Sequence, residues 1–149
     1  MGEAWRRIVA SGIVDRPSPR CGEQPSAGLR EGIRLFNDGE FFECHEVLED
    51  IWRAESDPLR YLYQGILQIG VGFHHLRNNN HRGAVSLLSS GIDKVRRFEP
   101  TCLSIDTSRL AEEAQRCLDD VVALGRERLR EFDWSQVPTV HIEPTETDP

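Results

Sequence analysis

The chain has 149 residues, 38% hydrophobic and 29% charged, which excludes a disordered composition and suits one domain with a sizeable core. A formal net charge of -7 argues against a general nucleic-acid or anionic-membrane binder, since both need a basic surface. No stretch reaches the roughly 18 apolar residues of a membrane-spanning helix.

The first fourteen residues, MGEAWRRIVASGIV, are too charged and too short in their apolar part for a signal peptide, and are compatible with a short docking helix. Residues 15–26 are rich in Pro, Ser, Gly and charge and read as a linker, which sets 1–26 apart from a helical domain over 27–132. A first helix is expected over Ala27–Asn37, with Leu29, Ile33 and Phe36 at helical spacing, followed by an Asn37-Asp38-Gly39 turn. The second covers Glu40–Ala54. Asp57-Pro58 then reads as an N-cap with Pro at the first helical position, opening a third helix over Pro58–Arg77. That helix is apolar on most of its circumference and is expected at the centre of the fold. Its glycines, Gly65, Gly70 and Gly72, make sense where neighbouring helices approach closely.

Asn78-Asn79-Asn80 breaks the pattern before a fourth helix over His81–Phe98, which Pro100 stops. Asp106 can cap a fifth, Thr107–Glu131, and the tail 133–149 is expected to be irregular. GEFFECHEVL and NNHRGAVSLL each follow a helix and a turn and open a second helix, a weak internal echo of two helical hairpins. The fold class is therefore all-α: a compact bundle of about five helices built from hairpins around a central apolar helix. Arg126, Arg128 and Arg130 cluster near the end of the fifth helix, but Glu127 and Glu131 interleave with them, so this stretch reads as a solvated helix face. Cys21, Cys44, Cys102 and Cys117 form no C-x-x-C pair and fit no structural zinc spacing, which points to a reduced, cytoplasmic setting.

The second helix carries the chemistry. FFECHEVLEDIW is amphipathic, yet His45 and Glu49 sit within its apolar arc, near Phe41, Leu48 and Trp52, while Glu43, Glu46 and Asp50 fall on the water-facing side. A buried His–Glu pair needs partners, because an unpaired buried polar group costs roughly 1–3 kcal/mol. On the third helix Gln64, Gln68 and His75 fall within about 40° of one another and supply the matching polar stripe. His74 points about 100° away. Helices two and three are thus expected to face each other through His45, Glu49, Gln68 and His75. One reading makes His45, Glu49 and His75 ligands of a divalent Zn²⁺, Fe²⁺ or Mn²⁺, with a position open for water or substrate. The other makes the same groups a hydrogen-bond network that fixes helix register.

Competing chemistries find little support. His45-Glu46 lacks the second His of H-E-x-x-H, and no Glu-x-x-His pair of the di-iron bundles occurs. Cys44 and His45, adjacent in a helix, point about 100° apart and cannot pair as nucleophile and base. His141 falls in the tail and reads as solvent-exposed.

At these residues the chain resembles domain-of-unknown-function family 309, small all-helical proteins of bacteria and archaea with a His-x-x-x-Glu-x-x-Trp or Tyr hallmark, matched by His45, Glu49 and Trp52. FNDGEFFECHEVLEDIWR, YQGILQIGVGFHHL with Gln64, Gly65, Gln68 and His75, and RGAVSLL carry the similarity over about residues 27–98. The sequence departs at Asn78-Asn79-Asn80, where a Gly-Asn turn is usual. The resemblance implies an all-helical fold and a motif suggested to bind metal, and brings no established activity. Two functions follow as expectations. One is a metal site at His45, Glu49 and His75 for metal-assisted hydrolysis, with Gln64, Gln68 and Trp52 around it. The other is a helical interaction module, binding a protein partner or a second copy, in which the cluster is structural.

Overall fold

The computed structural model describes residues 18–144. The expected docking helix at the N-terminus lies outside the described residues. Five α-helices follow in order: α1 (Ala27–Asn37), α2 (Phe41–Ala54), α3 (Leu59–Arg77), α4 (His81–Arg96) and α5 (Thr107–Leu124). Between α4 and α5 stand two short antiparallel strands, β1 (Thr101–Cys102) and β2 (Ile105–Asp106), with Thr101 opposite Asp106. The fold is an all-α bundle in which each helix packs on its sequence neighbour and α3 lies between α2 and α4.

The caps expected at Asp57 and Asp106 form, and Ser26 and Asn80 add two more. Ser26 Oγ accepts from the Leu29 N–H, and Asn80 Oδ1 from the Gly83 N–H. The Asp57 carboxylate takes the Leu59 N–H, and that of Asp106 takes the Arg109 N–H. Each satisfies an orphan donor of a first helical turn. The core runs through all five helices. Where α1, α2 and α3 meet, Phe36, Phe41 and Phe73 form an aromatic cluster, with ring centroids 5.4, 5.6 and 6.5 Å apart. The α3–α4 contact is closest at Gly65 and Gly91, where a Cβ on Gly91 would stand 2.6 Å from the Gly65 carbonyl oxygen. Gly72 likewise lies against Leu88 of α4, whereas Gly70 has ordinary room beside Phe36 and Phe41.

Three differences from the sequence reading have physical causes. The fifth helix stops at Leu124, not Glu131, because Gly125 adopts φ 70° and its N–H closes on the Val121 carbonyl; short 3₁₀ turns at Leu129–Glu131 and Trp134–Gln136 follow. The expected linker is packed from Ser18 onward. The Ser18 hydroxyl donates to Asp57, Arg20 pairs with Glu55, and Cys21 forms a disulfide with Cys102. Cysteines 81 residues apart carry no spacing signal, so the bridge departs from the expectation of four free thiols. The tail is irregular but docked: both amide atoms of Asn37 bond the Val140 backbone, and Ile142 bridges to Ile105.

Candidate functional site

The α2 residues fully buried in the core are Phe41, Cys44 and Leu48. His45, Glu49 and Trp52 are displaced from that stripe by a fraction of a turn, so they stand at its edge. Their side chains are half-buried, 33% exposed for His45 and 25% for Glu49, rather than enclosed as the sequence suggests. On α3, Gln64, Leu67, Gln68 and Val71 are among the positions that α2 and α4 leave partly exposed. These form the floor of an open cleft of about 300 Å³, with His45, Glu49 and Trp52 on one wall and Leu87 of α4 on the other. The cleft exists because α3 is not covered all round.

Several polar groups of the cleft are engaged within the protein, whereas the Gln64 amide and Gln68 Nε2 have no partner among the described residues. His45 Nε2 lies 2.9 Å from Glu49 Oε2, and the Arg53 guanidinium contacts Glu49 Oε1, so both carboxylate oxygens are engaged. Gln68 Oε1 accepts from Ser90 Oγ and from Lys94 Nζ, each at 3.0 Å, and Lys94 also donates to Ser90. Gln68 therefore answers to α4, not to His45. Burial, aided by the Arg97 guanidinium, pulls the Lys94 ammonium below the usual lysine range. Ser90 and Lys94 stand four apart on α4, a spacing that marks one helix face and could have flagged this network. The Trp52 Nε1–H is buried without an acceptor among the described residues, and the Arg60 guanidinium lies 4.9 Å above its ring.

His75 stands apart from this group. It shares an angular position with Gln64 and Gln68, but eleven residues of helix separate it from Gln64 by roughly 16 Å along the axis. Its Nδ1 lies 3.2 Å from Asn80 Nδ2, and its ring packs over Gly83. In an antiparallel hairpin each position on α2 has one level on α3. Phe41 and Phe42 meet Phe73 and His74, which leaves His45 opposite residues at least a turn earlier on α3. Among the described residues no three His, Cys, Asp or Glu side chains converge as a metal site would require. One imidazole and one carboxylate that already hold each other fall short of the three protein ligands of a catalytic metal site. Cys44 is fully buried, and its thiol is pushed up to about 12 by burial, which removes it as a nucleophile.

Beyond the cleft, α2 leaves Phe42 53% exposed, its ring 6.2 Å from that of His45 and 5.8 Å from that of His74.

The family described as "Domain of unknown function (DUF309)" matches residues 29–87, a span that holds every residue lining this cleft. The uncharacterized protein YpuF of Bacillus subtilis (strain 168) is 31% identical over 101 residues, 65% of this chain and 58% of that protein. An uncharacterized protein of Aquifex aeolicus (strain VF5) is 22% identical over 65 residues, 43% of this chain and 20% of that protein. The chain thus spans just over half of one relative's length and a fifth of the other's. Residues 29–87, which carry the cleft, are thus similar to domain-of-unknown-function family 309.

Proposed function

We propose that this domain is a recognition module whose cleft receives an apolar anchor side chain from an amphipathic segment of a partner protein. The observation that carries this reading is how the cleft's polar groups are spent. His45, Glu49 and Arg53 satisfy one another, and Gln68 is tied to Ser90 and Lys94. What remains for a ligand is mainly the surface of Trp52, Leu67, Val71 and Leu87, with the Gln64 amide beside it and Phe42 further along α2. A volume of about 300 Å³ suits one or two side chains rather than a large cofactor. A chain of net charge -7 opposes pairing with a second copy.

The competing reading is a divalent metal on His45 and Glu49. It is favoured by one observation, the 2.9 Å approach of an imidazole and a carboxylate at an open cleft. The ion would have to displace Arg53 and draw its remaining ligands from water or substrate.

Peptides selected from a random helical library separate the two readings. The recognition reading expects a consensus of one large apolar residue at a fixed position. It also expects amide shifts at Trp52, Leu67, Val71 and Leu87, and lost binding in Leu87→Asp. No consensus, or one that binds Leu87→Asp equally well, contradicts it.

A further inference from the structure

A second face of the molecule gathers arginines that pair with no carboxylate among the described residues. The α3–α4 turn supplies Arg77 and Arg82, and the segment after α5 supplies Arg126 and Arg130. Because α5 ends at Leu124, the stretch from Arg126 to Glu131 is not the solvated helix face its sequence suggests. Arg128 and Glu131 instead pair with each other at 3.0 Å, leaving Arg126 and Arg130 free to face neighbouring clefts. Among the described residues none of these four arginines has a carboxylate within ion-pair distance. In a chain of net charge -7 this is a local reversal of sign.

The arginines line two clefts that share Asn79. One, of about 770 Å³, holds Arg77, Arg130 and Trp134; the other, of about 660 Å³, holds Arg82 and Arg126, with Glu127 at its edge. The Arg77 guanidinium lies 5.0 Å from the Phe41 ring centroid and 5.7 Å from that of Trp134, so it is held between two aromatic faces. The Trp134 ring is 41% exposed, and its inner contact is Phe132, edge-on at 5.3 Å. An exposed aromatic beside fixed guanidinium groups provides a stacking surface and a phosphate clamp within one cleft.

We propose that this face binds a nucleoside phosphate, its base stacked on Trp134 and its phosphates on Arg77 and Arg130, with Arg82 and Arg126 drawing the anion in. Planar guanidinium groups match phosphate oxygens bidentately, and aromatic stacking tolerates any base, so the site selects the class rather than one nucleotide. Asn78 and Asn79 at the cleft offer amides to the sugar hydroxyls. This site is separate from the cleft at His45, and the two proposals stand or fall independently.

Titrating the full chain with ADP, adenosine, inorganic phosphate and a short single-stranded oligonucleotide tests it, read by calorimetry and by tryptophan fluorescence. Saturable ADP binding is expected, with quenching that disappears in Trp134→Phe and affinity that falls as salt rises. Arg130→Glu and Arg126→Glu change exposed side chains without partners and should leave the melting temperature unchanged. Arg130→Glu should weaken ADP by about tenfold or more. Adenosine should bind far more weakly than ADP. No saturable ADP signal at low salt overturns the proposal, as does equal binding by Arg130→Glu. Phosphate binding as tightly as ADP overturns the stacking role, and tight oligonucleotide binding without ADP binding overturns the small-ligand assignment.

Discussion

Replacing Gly91 by alanine tests the close crossing of α3 and α4 that builds the cleft's floor and one of its walls. The new Cβ would stand 2.6 Å from the Gly65 carbonyl oxygen and 2.8 Å from both the Ile69 nitrogen and Cγ1. Two of those atoms are backbone, so no rotamer change relieves the clash and the helices must separate by roughly half an ångström or more. A gap of that size forfeits about a quarter to a half of the dispersion at affected contacts. Overpacking of this kind costs about 1–3 kcal/mol, offset by about 1 kcal/mol of helix propensity gained over glycine. With backbone on both sides the upper end applies, giving a net loss of about 2 kcal/mol. For a chain of this size that lowers the melting temperature by roughly 4–8 °C. Gly70→Ala is the control. Its Cβ meets nothing closer than 3.6 Å, so only the propensity gain remains, and the melting temperature should rise by roughly 1–4 °C. Differential scanning calorimetry of both variants decides the matter. A Gly91→Ala protein as stable as the parent would refute the close α3–α4 crossing.

Other outcomes follow from the same contacts. Reducing the Cys21–Cys102 bridge, which spans 81 residues, should lower unfolding stability by about 4 kcal/mol, and coincident urea curves with and without reductant would contradict this. Lys94 has a folded pKa below its unfolded one, so between the two values the unfolded chain binds the extra proton. Stability should therefore rise with pH through that alkaline window, a rise that Lys94→Met abolishes in denaturation measured at stepped pH. Cys44 and Cys117, both buried with thiols pushed up to about 12, should resist iodoacetamide in the native protein and react only on unfolding; rapid native labelling would refute their burial.

The helices were readable because their signals are local. Leu29, Ile33 and Phe36 repeat at helical spacing, and Ser26, Asp57 and Asp106 cap where their side chains can reach the next turn. The short β1–β2 hairpin escaped notice because two-residue strands leave no alternation to read, and its turn uses Leu103 and Ser104 at positive φ in place of glycine. The Cys21–Cys102 bridge and the docking of Val140 on Asn37 join residues far apart in sequence, which no periodicity encodes. The cleft was half legible. His45, Glu49, Gln64 and Gln68 were marked by polarity in apolar surroundings and Trp52 by the family hallmark, and the structure brings them to one place. His75 was grouped with them by angle alone, which ignores the rise along the helix axis. Leu67, Val71 and Leu87 were missed because apolar residues on an apolar helix read as core; only the uncovered side of α3 exposes them.

The central claim is that His45 and Glu49 hold each other and Arg53, leaving the cleft to recognise a partner rather than a metal. Elemental analysis of protein purified without a metal-affinity tag tests it most directly, comparing wild type with folded His45→Ala and Glu49→Ala. A recognition cleft requires substoichiometric metal at the same level in all three proteins, even after Zn²⁺, Fe²⁺ and Mn²⁺ are offered. Near-stoichiometric metal in the wild type, lost in both variants, would contradict it and make the pair a metal site.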